Sequence, residues 1–198
     1  MIQKISNMCA KKIISLGKLQ EINEPVLRYG CELILTSFFG LLILIGLSLL
    51  FGHPFAWLFF VIGFAPHRTS AGGYHADNHT RCYIVTSLMF LISVIIAYRL
   101  IWTYYIYPGI SLFSALIVSL LAPLAAANKP LSVKRFRANR VRSLIIISAN
   151  FIIAVFFAMM NLVSEEINMY FAGIFFASAS LIIGKIKIIS KGAKKNEG

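Results

Sequence analysis

The chain has 198 residues, 59% of them hydrophobic and only 13% charged, and a mean hydropathy of +0.80. That composition excludes a water-soluble fold of ordinary make-up. The charges are lopsided, 19 Lys and Arg against 7 Asp and Glu for a net of +12, which in so apolar a chain points to a membrane surface or an acidic substrate rather than to nucleic acid. Cys9, Cys31 and Cys82 lack CxxC spacing and leave one thiol over after any pairing, so all three are read as reduced.

The first segment is basic, and Lys4, Lys11, Lys12 and Lys18 interrupt it throughout, so no cleaved signal peptide is expected. Ile2, Ile5, Cys9, Ile13 and Leu16 share one helical face with Lys4, Lys11 and Lys18 opposite, the pattern of an amphipathic helix lying on the inner leaflet. A span across a hydrocarbon core about 30 Å thick needs about 20 apolar residues. Residues 33–51 form an uncharged run of that order. Residues 55–65 cover about half the thickness as a helix, which predicts a short, tilted or partly re-entrant segment. Uncharged runs follow at 83–98, continuing past Arg99 to Trp102, and at 110–127 despite Pro123; apolar runs close the series at 144–163 and, slightly short, at 167–184. The expected fold is an all-α polytopic membrane protein of about six hydrophobic segments. It forms a single membrane-embedded domain over 1–198, with a basic segment at 1–32, a polar loop at 66–82 and a basic loop at 128–143.

Cytoplasmic loops retain Lys and Arg whereas translocated loops do not. Lys4, Lys11, Lys12, Lys18 and Arg28 precede the first run, Lys129, Lys134, Arg135, Arg137, Arg140 and Arg142 lie between the fourth and fifth, and Lys185, Lys187, Lys191, Lys194 and Lys195 follow the last. Residues 99–109 carry one cation, and the turn at Glu165 and Glu166 carries none. Both termini and the 129–142 segment are therefore expected in the cytoplasm. The 66–81 segment is expected there too, provided residues 55–65 cross or return as a hairpin.

Most of the unusual polar residues fall at 66–82, which holds His67, His75 and His79, three of the four histidines, together with Cys82. A thiol becomes a nucleophile when a base stands within hydrogen-bond reach. On a continuous helix His75 and Cys82 share a face but lie about 10.5 Å apart along the axis. A bend at Asp77 and Asn78, helped by Gly72-Gly73, would bring them together. His79, three residues before Cys82, meets the thiol with no bend, so geometry alone favours it. The same residues also have plainer uses: Cys82 as a small buried hydrophobe, Arg68, Arg81 and His67 as headgroup anchors, Gly-Gly as a turn. A metal site from His67, His75, His79 and Asp77 lacks HExxH or paired CxxC spacing, and neither metal nor cofactor is expected.

The pattern Arg68-x-x-x-Gly72-Gly73-x-His75, with Cys82 after six further residues at the head of an apolar run, resembles the accessory gene regulator B (AgrB) family of Gram-positive bacteria. The chain length, the basic first segment, the short second run and the passage Ala122-Pro123 to Asn128-Lys129-Pro130 extend the likeness over essentially the whole chain. The resemblance implies a membrane cysteine endopeptidase of quorum sensing. It makes Cys82 the nucleophile and His75 the general base, overriding the geometric preference for His79, and gives Arg68 and Gly72 supporting roles with Gly73 beside them. The resemblance assigns no group to orient the imidazole; Asp77 and Asn78 are the candidates from the sequence. The substrate implied is a pro-peptide with an amphipathic leader, a central Cys and an acidic C-terminal tail, and the product a thiolactone. Lys129, Lys134, Arg135, Arg137 and Arg140 would attract the tail. The implied setting is a bacterial cell membrane, and a homodimer fits the family. Competing readings are a small transporter or channel exporting a peptide or ion, and a structural membrane subunit. Against the transporter, no charge sits near the middle of any of the six runs.

Overall fold

The computed structural model describes residues 2–15, 24–73, 79–100, 102–124 and 132–196. Among them the named elements are seven α-helices: α1 (Ile2–Ser15), α2 (Glu24–Leu50), α3 (Ala56–Ala71), α4 (His79–Arg99), α5 (Ile106–Leu121), α6 (Val133–Met159) and α7 (Glu165–Asn196). Four stretches are long and apolar enough to cross a bilayer, Glu24–Leu50, Arg81–Arg99, Val133–Met159 and Glu165–Ser190, and α5 is a shorter apolar helix. The all-α architecture is as the charge-free runs predict.

The chain divides into two compact units, Met1–Phe51 and Gly52–Gly198. In the first, α1 packs on α2, and Ser6 and Ala10, one turn apart on α1, are buried. The predicted apolar stripe is turned aside from that face: Cys9 is exposed, and Ile5 and Ile13 are only half-buried. Small side chains let two helices approach closely, so Ser6 and Ala10 carry the burial and the stripe residues beside them stay partly exposed.

The second unit is built around α7, the most enclosed of the four candidate spans. Helices α3, α4 and α5 pack on it, and α6 packs on α5 and α3. The core joins Tyr107, Ile117 and Val118 of α5 and Ile147 and Ala154 of α6 to Phe171, Ile174 and Leu181 of α7. Two glycines set the crossing of α3 and α7. A methyl group on Gly63 would run into the Tyr170 carbonyl oxygen, and one on Gly173 would lie 2.6 Å from that of Phe60. Backbones in such contact gain close packing that lipid chains cannot replace. Asn168 ties three helices, accepting from the Tyr107 hydroxyl at 2.8 Å and donating to the Ala97 carbonyl at 3.1 Å. Replacing Asn168 with leucine removes both bonds at a buried position and is expected to cost about 1–3 kcal/mol, read as a lower thermal midpoint of the detergent-solubilised protein.

Several helix ends differ from the sequence reading, three of them beside the polar and basic segments. Helix α3 continues through Pro66 to Ala71, so the polar segment expected as a loop starts as helix. Its hydroxyls are satisfied by its own backbone, Thr69 donating to the Ala65 carbonyl at 3.0 Å and Ser70 to that of Pro66 at 2.7 Å. Helix α6 likewise begins inside the basic segment, where the Ser132 hydroxyl accepts from the Arg135 amide and caps the first turn. Helix α5 stops at Leu121, six residues before its uncharged run ends. Pro123 drives the residue before it to extended backbone, as Ala122 shows at φ −84° and ψ 148°.

Candidate active site

A crevice of about 240 Å³, its open mouth included, is lined by Phe64 and Arg68 of α3, Cys82, Val85, Thr86 and Met89 of α4, and Ser180 of α7. Each residue arrives by helix periodicity: Cys82, Val85, Thr86 and Met89 recur at the spacing of one face, as do Phe64 and Arg68. Cys82 is half-buried at the head of the apolar part of α4, and its thiol is free. The Arg68 guanidinium shares this crevice with Cys82, and its Nη1 donates to the Ser180 hydroxyl oxygen at 3.4 Å.

Gly72 and Gly73 end α3 with φ of +83° and +135°, a region open to glycine and strained for other residues. Gly72 runs parallel to Leu124 as an isolated bridge, supported by the Leu124 amide donating to the Ala71 carbonyl at 2.9 Å. A side chain at Gly72 would strike the Leu124 carbonyl, and one at Gly73 would strike the Arg68 guanidinium. The Gly-Gly pair is thus more than a flexible turn: it lets residues 122–124 lie against the end of α3 and leaves room for Arg68.

His67 does not anchor a headgroup. It faces the bundle interior with 2% of its surface exposed. Its Nε2 lies 2.6 Å from Asn150 Nδ2 on α6, and the Tyr170 hydroxyl of α7 donates to Asn150 Oδ1. With Asn150 donating, Nε2 is the acceptor and Nδ1 carries the proton; Nδ1 is buried with no hydrogen-bond partner among the described residues. The inward turn follows from the buried face of α3, on which Phe60, Gly63, His67 and Ser70 recur every three or four residues.

His75, Asp77, Asn78 and Lys129 lie outside the described residues. His79 opens α4 one turn before Cys82, and its side chain also falls outside them. Lys134, Arg135 and Arg137 are exposed on the first turns of α6. Arg140 instead donates from Nη1 to the Ala122 carbonyl at 2.8 Å and from Nη2 to that of Ser119 at 3.1 Å, placing a cation at the C-terminal end of α5, where the helix dipole favours it. The structure therefore brings Cys82, Arg68 and Gly73 together and gives Arg140 a partner within the fold. Ser180, Asn150 and Tyr170 were not anticipated from sequence. The small residues Gly173, Ala177, Ser180 and Gly184 are a signal that one face of α7 is closely packed, but nothing local marks Ser180 as a neighbour of a residue 112 positions away.

The sequence model of the family described as Accessory gene regulator B matches residues 2–187. The chain is similar to the accessory gene regulator protein B of Staphylococcus saprophyticus, at 29% identity over 143 residues covering 71% of this chain and 74% of that protein. It is similar also to that of Staphylococcus intermedius, at 26% identity over 139 residues covering 69% and 73%. No solved structure matches. With a match that takes in the residues of the crevice and reaches from α1 into α7, the chain belongs to the accessory gene regulator B family of quorum-sensing membrane proteins.

Proposed function

We propose that this chain is a cysteine endopeptidase that cuts the acidic C-terminal tail from a membrane-associated pro-peptide and closes the remainder into a thiolactone. The observation that carries the reading is the half-buried Cys82 in a crevice beside the Arg68 cation, in a chain of this family. The Cys82 thiolate attacks the carbonyl carbon of the peptide bond preceding the tail. His75 supplies the proton that the departing amine needs, and the peptide is left as a thioester on Cys82. A cysteine thiol within the peptide then attacks that thioester, gives up its proton and releases the Cys82 thiolate. One thioester replaces another, so ring closure needs no further energy source if water is kept away. The apolar walls Phe64, Val85 and Met89 serve that exclusion.

Arg68 steadies the negative sulfur or a substrate carboxylate, and the amides near Gly72 and Gly73 are candidate donors to the oxyanion. Asp77 or Asn78 orients the imidazole. Lys129, Lys134, Arg135 and Arg137 draw in the acidic tail, whereas Arg140 is engaged by α5. The distribution of Lys and Arg supports an orientation with both ends of the chain and the 66–82 segment in the cytoplasm, where a newly made peptide is met. The partly exposed stripe on α1 suits a helix resting on the inner leaflet.

The assignment of the base is tested by paired substitutions in membranes containing the pro-peptide. His75→Ala is expected to lower tail removal about 100-fold or more, while His79→Ala stays within a few fold of the parent. The reverse result would make His79, the helical neighbour of Cys82, the base.

A further inference from the structure

Arg68 reaches into a crevice with three apolar walls, Phe64, Val85 and Met89. A guanidinium on a flexible stem has many places to go unless an acceptor fixes it. Ser180 on α7 is such an acceptor. It is 2% exposed, and its hydroxyl proton is committed to the Ala177 carbonyl at 2.7 Å. The oxygen lone pairs are thereby left for Arg68 Nη1 at 3.4 Å. Gly73 completes the arrangement from the other side, since any side chain there would occupy the space of the guanidinium and come against the same serine oxygen.

We propose that Ser180 is a positioning residue of the site, the hydroxyl through which α7 holds the Arg68 cation against Cys82. Arg68 is the shared neighbour of both, bonded to Ser180 and lining one crevice with Cys82. Three helices thus meet in one charge placement: α3 brings the cation, α4 the sulfur and α7 a hydroxyl that accepts from the cation. This inference rests on the reading of Cys82 as the reacting thiol.

The test uses the full chain in membranes with Cys9→Ser and Cys31→Ser, so that Cys82 is the one thiol present. Alkylation of Cys82 is timed with iodoacetate and with iodoacetamide, which differ in charge but attack the same thiolate. A cation held at the sulfur speeds the anionic reagent relative to the neutral one, so the ratio of rates reports where Arg68 sits. Ser180→Ala is expected to lower that ratio about threefold, and Arg68→Gln to lower it at least as far. Adding Ser180→Ala to Arg68→Gln should then change nothing more. An unchanged ratio in Ser180→Ala, or an equal further drop in the Arg68→Gln background, would overturn the proposal. Alanine is a good helix former at this α7 position, and a size-exclusion profile matching the parent confirms that the variant folds. The ratio needs no pro-peptide, so a parent protein that leaves the tail uncut would refute the peptidase reading while the alkylation result stands on its own.

Discussion

Cys82→Ala is expected to abolish removal of the acidic tail in membranes that contain the pro-peptide, a loss of about 10⁴-fold or more if the thiol is the nucleophile. The whole covalent route depends on this sulfur, because there is no acyl carrier without it and the ring-closing step has no thioester to attack. Cys82→Ser is expected to fall nearly as far. A serine hydroxyl in surroundings that suit a thiol is scarcely ionised near neutral pH and is a poor nucleophile without a dedicated base. Neither change should disturb the fold, since the side chain is half-buried and the bulk of the crevice wall comes from Phe64, Val85 and Met89. Immunoblotting of the pro-peptide and its shortened product reads the outcome. Intact processing by either variant would remove Cys82 from the mechanism and return the chain to the transporter or structural readings.

The second large effect concerns the scaffold. Gly63→Val is expected to destabilise the protein by about 3 kcal/mol or more, because even a methyl at this position meets the Tyr170 carbonyl. A backbone oxygen cannot rotate away as a side chain would, so α3 and α7 must separate along their crossing. The substitution should remove most of the monodisperse protein after detergent extraction. Gly109→Val is the matched control: it is also helical, on α5, but nothing lies within 4 Å of the added carbon, so only the modest helix preference of valine changes. If the two variants behave alike, close approach at Gly63 is not what holds α3 in place.

The helical character of the chain and its candidate spans were legible because a bilayer imposes one requirement, backbone bonds satisfied within an apolar stretch of fixed length. The ends of those helices were not. Charge and proline mark where apolar runs stop, but a helix persists beyond them wherever its polar side chains find partners, as Thr69 and Ser70 do on their own turn. In α6 the helix starts earlier than the apolar run because Ser132 caps it, and Arg140 finds partners at the end of α5. At the site, the spacing from Gly72-Gly73 to Cys82 carried the family resemblance, and α4 runs unbroken from His79 through Cys82. His67 shows the limit of that reading. Next to a cluster of cations it looks like a headgroup contact, yet its register with Phe60 and Gly63 turns it toward Asn150. Ser180 shows another, since its meaning depends on Arg68, and only the packing of α7 against α3 brings the two together.

The place of α7 at the centre of the second unit has a consequence for synthesis. Cys82 leaves the ribosome about 100 residues ahead of Ser180, a delay of about 5–20 s at ordinary elongation rates. Until α7 has settled against α3 and α4, the wall that holds Arg68 is missing and Gly63 has no backbone to lie against. The thiol is therefore made well before the surroundings that give it direction. A fragment ending before α7 therefore lacks the Ser180 hydroxyl that accepts from Arg68 and the Tyr170 backbone that meets Gly63.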